Sequence, residues 1–178
     1  MAHILPHWDW PERLGLITPV FVYTSGDEAE LFLNGKSLGR KQKGVLEYRL
    51  RWDDVTYAPG ELKVVAYKNG KKWAMDVVHT TGPASKLMLT ADRSTIAADG
   101  KDLSFITVKI ADKKGQLVPR SKDEIKFTVE GPGEIVATDN GDPTSFESFQ
   151  APERKAFNGL ALVMVRAKPG EAGNIKLS

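Results

Sequence analysis

The 178-residue sequence contains no cysteine, which removes disulfides, thiolate metal sites and cysteine nucleophiles. The redox compartment stays open, because a cysteine-free chain suits reducing and oxidising surroundings alike. Long apolar runs are also missing: none approaches the roughly 20 residues that span a bilayer, and no basic-then-apolar leader opens the chain. A dominant charge is absent too, with 25 basic against 23 acidic residues and a net charge of +2. Neither nucleic acid nor an anionic membrane surface is therefore expected as a partner recruited by field alone. Histidine is scarce, at 3 residues. His3 and His7 share a helical spacing, but Pro6 lies between them and no carboxylate stands at a zincin spacing, so surface or packing roles are expected. His79 closes a strand with no partner nearby in sequence. No Gly-x-Ser-x-Gly elbow occurs, and no glycine-rich loop opens a helix to hold phosphate. Asp139-Asn140-Gly141-Asp142 gathers oxygen atoms around a glycine, but Pro143 follows at once and the ligand spacing of a calcium loop is missing, so a turn is expected. No metal site and no cofactor are expected.

What the sequence does have is alternation. At 41% hydrophobic residues it can build a core, and it should be soluble and globular. In Thr18 to Lys41, the residues Ala29, Leu31 and Leu33 alternate with Glu28, Glu30 and Phe32, which places an aliphatic row on one face of a pleated strand. Asn34-Gly35 tolerates positive φ at both central turn positions and predicts a tight reversal after it, and Ser25-Gly26-Asp27 predicts a turn before it. The stretch reads as three strands folding back on each other. Further strands are expected at Val45 to Trp52, with Leu46, Tyr48, Leu50 and Trp52 facing the core, and at Glu61 to Lys68, through Leu62, Val64 and Ala66. Asn69-Gly70 then reverses the chain into Lys71 to Thr80, with Trp73, Met75 and Val77 in phase and Trp73 assigned to the core.

Thr81-Gly82-Pro83-Ala84 interrupts the strands, and Pro83 cannot donate to a ladder, so a domain boundary is expected there. Beyond it, strand patterns recur at Lys86 to Ala91, Leu103 to Asp112, Glu124 to Glu130, Glu134 to Thr138, Phe157 to Ala167 and Asn174 to Leu177. Turn signals every 8 to 12 residues, with no apolar 3.6-residue period, predict an all-β chain of two small β-sandwiches in tandem. The expected division is an extended lead-in over 1–17, a first sandwich over 18–82 and a second, C-terminally truncated one over 83–178. The segment Asp139 to Lys155 is longer than most structureless connections, and such loops are often functional or pinned between domains.

Aromatic residues supply the candidate contacts. Trp8 and Trp10 lie in a proline-bounded segment with no strand partner evident in the sequence, and uncovered they would expose a large apolar area. Two readings stay open: stacking on the C–H faces of a sugar, or packing against other protein, which is preferred. Phe146 and Phe149 in the long loop could add stacking surface.

The segments HILPHWDWPERLG and TPVFVYTSGDEAELFLNGKSLG closely resemble the region that follows the catalytic barrel in bacterial family 2 glycoside hydrolases of the β-galactosidase type. Asp9 stands where that family usually has asparagine. The downstream ADRSTIAADGKDLSFITVKIADKKGQLVP and FTVEGPGEIVATDNGDPTS resemble the bacterial immunoglobulin-like domain of the same enzymes and, more distantly, invasin repeats. The resemblance covers essentially the whole chain. It implies two tandem immunoglobulin-like β-sandwiches that form a non-catalytic accessory region bracing an upstream barrel, with a periplasmic or extracellular setting. Retaining enzymes of this kind use two barrel glutamates, and no glutamate here matches their motifs, so no catalytic residue is assigned. Two alternatives are a carbohydrate-binding module and a structural spacer or adhesive repeat.

Overall fold

The computed structural model describes residues 1–178 as two compact units, Met1–Thr80 and Thr81–Ser178. In the first, seven strands form two antiparallel sheets: β1 (Ala2–Leu5), β2 (Val20–Thr24) and β5 (Arg49–Trp52) in one, and β4 (Lys36–Gln42), β3 (Glu28–Leu33), β6 (Glu61–Lys68) and β7 (Lys71–His79) in the other. The only helical turn is the 3-10 segment Pro11–Arg13. Asn34 and Gly35 adopt φ of 50° and 80°, and Asn69 and Gly70 φ of 51° and 74°, the mirror-image turn geometry that matches strand twist. Both expected Asn-Gly reversals therefore form tight turns. Alternation does the rest: Val20, Val22, Ala29, Leu31, Leu62, Val64 and Ala66 are fully buried and pack with Leu50 and Trp52 into one core.

The arrangement differs from the sequence reading at three places in this unit. Residues 18–41 are not three strands folded onto one another, because β2 pairs with β1 and β5 while β3 pairs with β4 and β6. The Ser25-Gly26-Asp27 turn therefore crosses between sheets. Gly26 is needed there because a Cβ would lie 2.4 Å from the Tyr67 carbonyl oxygen. Second, the strand expected from Val45 begins only at Arg49; Leu46 and Tyr48 are 95% and 66% exposed. Only Leu50 and Trp52 of the expected row reach the core, because only they lie on the segment that pairs with β2. Third, Trp73 and Met75 are in phase but on the outer face, 52% and 70% exposed. The β6–β7 register shifts at Ala66/Tyr67, and Ala74 and Val78 pack against the core instead.

These faces carry a stability prediction. Leu31→Ala should cost about 2–5 kcal/mol, whereas Glu30→Ala should change little. Equal melting temperatures for the two variants would overturn the assignment of faces.

In the second unit, β12 (Gly133–Asp139), β14 (Leu160–Ala167), β9 (Leu103–Ala111) and β8 (Lys86–Ala91) form a four-stranded sheet. Opposite it lie two short pairs, β10 (Glu124–Lys126) with β13 (Glu153–Lys155) and β11 (Val129–Glu130) with β15 (Lys176–Leu177). Ile106, Val108, Ile110, Ile125, Phe127, Val163 and Val165 make its core. The strand expected over Glu124 to Glu130 is split because the partner changes in its middle: Phe127 N donates to Pro152 O, and Thr128 N donates to Ser178 O.

Four aspartates of this unit hold turns through backbone N–H donors or hydroxyls. Asp112 accepts from Gly82, Lys114 and Gln116 N; Asp99 accepts from Lys101 and Asp102 N; Asp92 binds Phe105 N and Ser104 Oγ; Asp142 binds Thr144 N and Oγ1. Hydrogen bonds to the charged form hold all four carboxyls below the ordinary aspartate value, the Phe105, Asp102, Gly82 and Thr144 amides making the largest contribution at Asp92, Asp99, Asp112 and Asp142 respectively. Because the folded values are depressed, this stabilisation is complete above the unfolded value. It is lost as pH falls through the window between that value and the folded ones. Calorimetry from pH 6 to pH 3 should therefore show the second unit losing stability, with a shallower loss in Asp112→Asn. A second-unit transition that does not move over this range would contradict the account.

Candidate functional site

Trp8 is fully buried in the first unit's own core, its ring centroid 4.9 Å from that of Tyr57. Its indole N–H donates to Ala58 O, and its carbonyl accepts from Thr80 Oγ1 at 2.6 Å. The Tyr57 hydroxyl accepts from Trp10 N and lies 3.3 Å from Thr80 Oγ1. The opening segment is thus built into the first sandwich. Residues 2–5 form β1 on β2, and Ile4 N donates to Asp76 Oδ2 on β7. This corrects the expectation of a lead-in without a strand partner and removes Trp8 as a stacking surface. Trp10 is half-buried, stacked on His7 at 4.3 Å with its indole N–H on His7 O. His3 lies 3.4 Å from Asp76, so the two early histidines serve separate local contacts.

Phe146 and Phe149 belong to the second unit and are 102% and 61% exposed. They ride on the long segment 139–155, which Arg154 holds from within. Arg154 is 2% exposed, and its guanidinium donates to Thr138 O and Oγ1, Ser148 O, Glu147 O and Glu147 Oε2. The run Asp139-Asn140-Gly141-Asp142 is a series of side-chain-to-backbone turns: Asp139 Oδ1 accepts from Asn140 and Gly141 N, and Asn140 Oδ1 accepts from Asp142 N. Those oxygens are occupied by amides, as a turn requires. No group of three or more His, Asp or Glu side chains is placed to hold a metal ion.

A hollow of about 650 Å³ lies within the second unit against Leu89, Ile106, Val165, Ile175 and Leu177. Its only ionisable lining groups are Arg93 and Glu171, and Arg93 pairs with Asp92 and Asp102. A single carboxylate beside an apolar wall lacks the second carboxyl that glycoside cleavage by an acid and a nucleophile or base requires. The hollow can take an apolar group but has no acid–base pair. Sequence reasoning missed it, because its wall combines residues of β8, β9 and β14 with Ile175 and Leu177, which are far apart in the chain and meet only in the fold.

A family profile described as glycoside hydrolase family 2 C-terminal domain 5 matches residues 87–178, and one described as a domain of unknown function, DUF4982, matches residues 15–74. The chain is 42% identical over 174 residues to the β-galactosidase BoGH2A of Bacteroides ovatus, covering 97% of this chain and 20% of that protein. Among solved structures, it is similar to a glycosyl hydrolase family 2 member from Bacteroides cellulosilyticus, at TM-score 0.94 and 35% identity over 99% of this chain and 26% of that one. It also resembles a β-glycosidase from Bacteroides vulgatus, at TM-score 0.92 and 33% identity over 99% of this chain and 22% of that one. The chain thus spans between a fifth and about a quarter of the length of these proteins.

Proposed function

The chain belongs to the family 2 glycoside hydrolases, matching their C-terminal domain 5, and from that premise we propose that it is a non-catalytic accessory region that braces the catalytic barrel of a β-galactosidase-like enzyme. The observation that carries this reading is the 42% identity maintained over 97% of the chain within only 20% of a β-galactosidase. On this reading the sandwiches contribute stability and shape to the enzyme, while the paired glutamates that cleave the glycosidic bond reside in the barrel. The test is enzymatic. The purified 178-residue chain should not turn over a chromogenic β-galactoside, and the full-length enzyme encoded by the natural gene should. Turnover by the chain that survives repurification would overturn the reading.

A second reading, a carbohydrate-binding module, is favoured by one observation, the full exposure of Phe146 beside Phe149 on the pinned loop. Titration of galactose and lactose by calorimetry separates the two. A dissociation constant below about 100 μM, roughly −5.5 kcal/mol, that is lost in Phe146→Ala would establish binding.

A further inference from the structure

The outer face of the β1–β2–β5 sheet is not built as a water-facing surface. Its cross-strand rows are His3–Tyr23–Arg49 and Leu5–Phe21–Arg51. Arg49 and Arg51 lie over the Phe21 ring at 4.9 and 5.3 Å, and Arg49 also lies 5.6 Å from the Tyr48 ring. Tyr23 and Tyr48 approach at 6.1 Å. Beside them Val45 and Leu46 are 102% and 95% exposed, which leaves two branched aliphatic side chains entirely in water at the rim of an aromatic–arginine patch. Aromatic residues and arginine around exposed aliphatics are the composition of a protein-binding surface, and contiguous apolar exposure of this kind marks such sites. Bare aliphatic side chains offer nothing to a sugar hydroxyl.

Charge narrows the partner. Arg51 pairs with Asp53, the Lys41 ammonium is engaged by Arg51 O, and Glu47 accepts from Gly44 N. Arg49 has aromatic neighbours, Phe21 and Tyr48, but no carboxylate partner. A complementary surface would therefore offer a carboxylate to Arg49 and an apolar hollow to Leu46 and Val45. Position narrows it further. Met1 N donates to Ser25 Oγ and Met1 O accepts from Thr24 Oγ1, so the first residue sits at the end of the sheet that carries Tyr23, Arg49 and Tyr48, where the barrel of the accessory reading would join.

We propose that this patch, centred on Leu46, Tyr48 and Arg49, is the surface on which the first sandwich docks against an acidic-rimmed hollow of the catalytic barrel of its own enzyme. The proposal rests on the accessory reading above and adds the face through which bracing occurs.

Hydroxyl-radical footprinting of the 178-residue chain and of the full-length enzyme tests it. Leu46 and Tyr48 should be heavily oxidised in the former and lose most of that label in the latter. Arg49→Glu should leave the melting of the 178-residue chain where it was and lower the inactivation temperature of the full-length enzyme. A natural gene encoding no barrel would remove the accessory reading and this proposal together. A barrel that leaves Leu46 and Tyr48 equally oxidised would overturn the docking face alone. Concentration-dependent protection of the patch in the 178-residue chain would assign it to a second copy, and protection by an acidic oligosaccharide would assign it to glycan; either overturns the proposal.

Discussion

Trp8→Ala should remove about 3–5 kcal/mol from the first unit and leave the second unit's transition where it was. The truncation empties a site that is fully enclosed, strands one polar group, Ala58 O, which loses the indole donor, and takes from the Tyr57 ring its aromatic neighbour. For a unit of this size each kcal/mol shifts melting by about 4–8 °C, so the transition should fall by more than about 10 °C. The measurement is convenient because Trp8, Trp10, Trp52 and Trp73 all lie in the first unit, so tryptophan fluorescence reports that unit alone while calorimetry follows both. Trp10→Ala should cost less, since Trp10 is only half-buried and its main tie is the stack on His7. If Trp8 were a stacking surface for sugar or for a missing partner, its removal would leave melting unchanged. That outcome would place the opening segment outside the first sandwich.

The same residue shows where sequence patterns stop being informative. Alternation located the strands whose partners lie on the same sheet: Leu62, Val64 and Ala66 on β6, or Ile106, Val108 and Ile110 on β9, read correctly because each faces one continuous core. It failed where the chain leaves a sheet or where both faces are apolar. Ala2–Leu5 is too short to show a period, yet β2 supplies its ladder and Asp76 caps Ile4 N, so its strand character comes from tertiary partners. On β7, Trp73 and Met75 looked inward because they are the larger residues, but pairing sets the phase: Ala74 and Val78 stand opposite the buried Ala66 and Leu62 and share their inward face. Arg154 carried no sequence signal at all, because an arginine in a polar stretch reads as solvated until its acceptors are placed around it.

Arg154→Ala should be the corresponding lesion in the second unit. The guanidinium is 2% exposed, and it collects the carbonyls of Thr138, Glu147 and Ser148 with the Thr138 hydroxyl and the Glu147 carboxylate, so one side chain closes the segment between β12 and β13. Each buried acceptor left without its donor typically costs about 1–3 kcal/mol, and removing Arg154 strands several at once. Here the unpaired groups are mostly carbonyl oxygens, which can recover bonds only by admitting water, and that means opening the loop. Two readouts should move together. The second unit's calorimetric transition should drop by more than about 10 °C, and chymotrypsin should cut after Phe146 or Phe149 faster than in the unaltered chain. Arg154→Lys is the sharper variant: it keeps the charge but cannot reproduce a planar fork reaching both Thr138 and Ser148, so it should recover only part of the loss. Full recovery by lysine would mean that charge, with Glu147 as its counterion, dominates over the carbonyl bonds. Unchanged melting in Arg154→Ala would mean that the loop is held by its own turns at Asp139, Asn140 and Asp142.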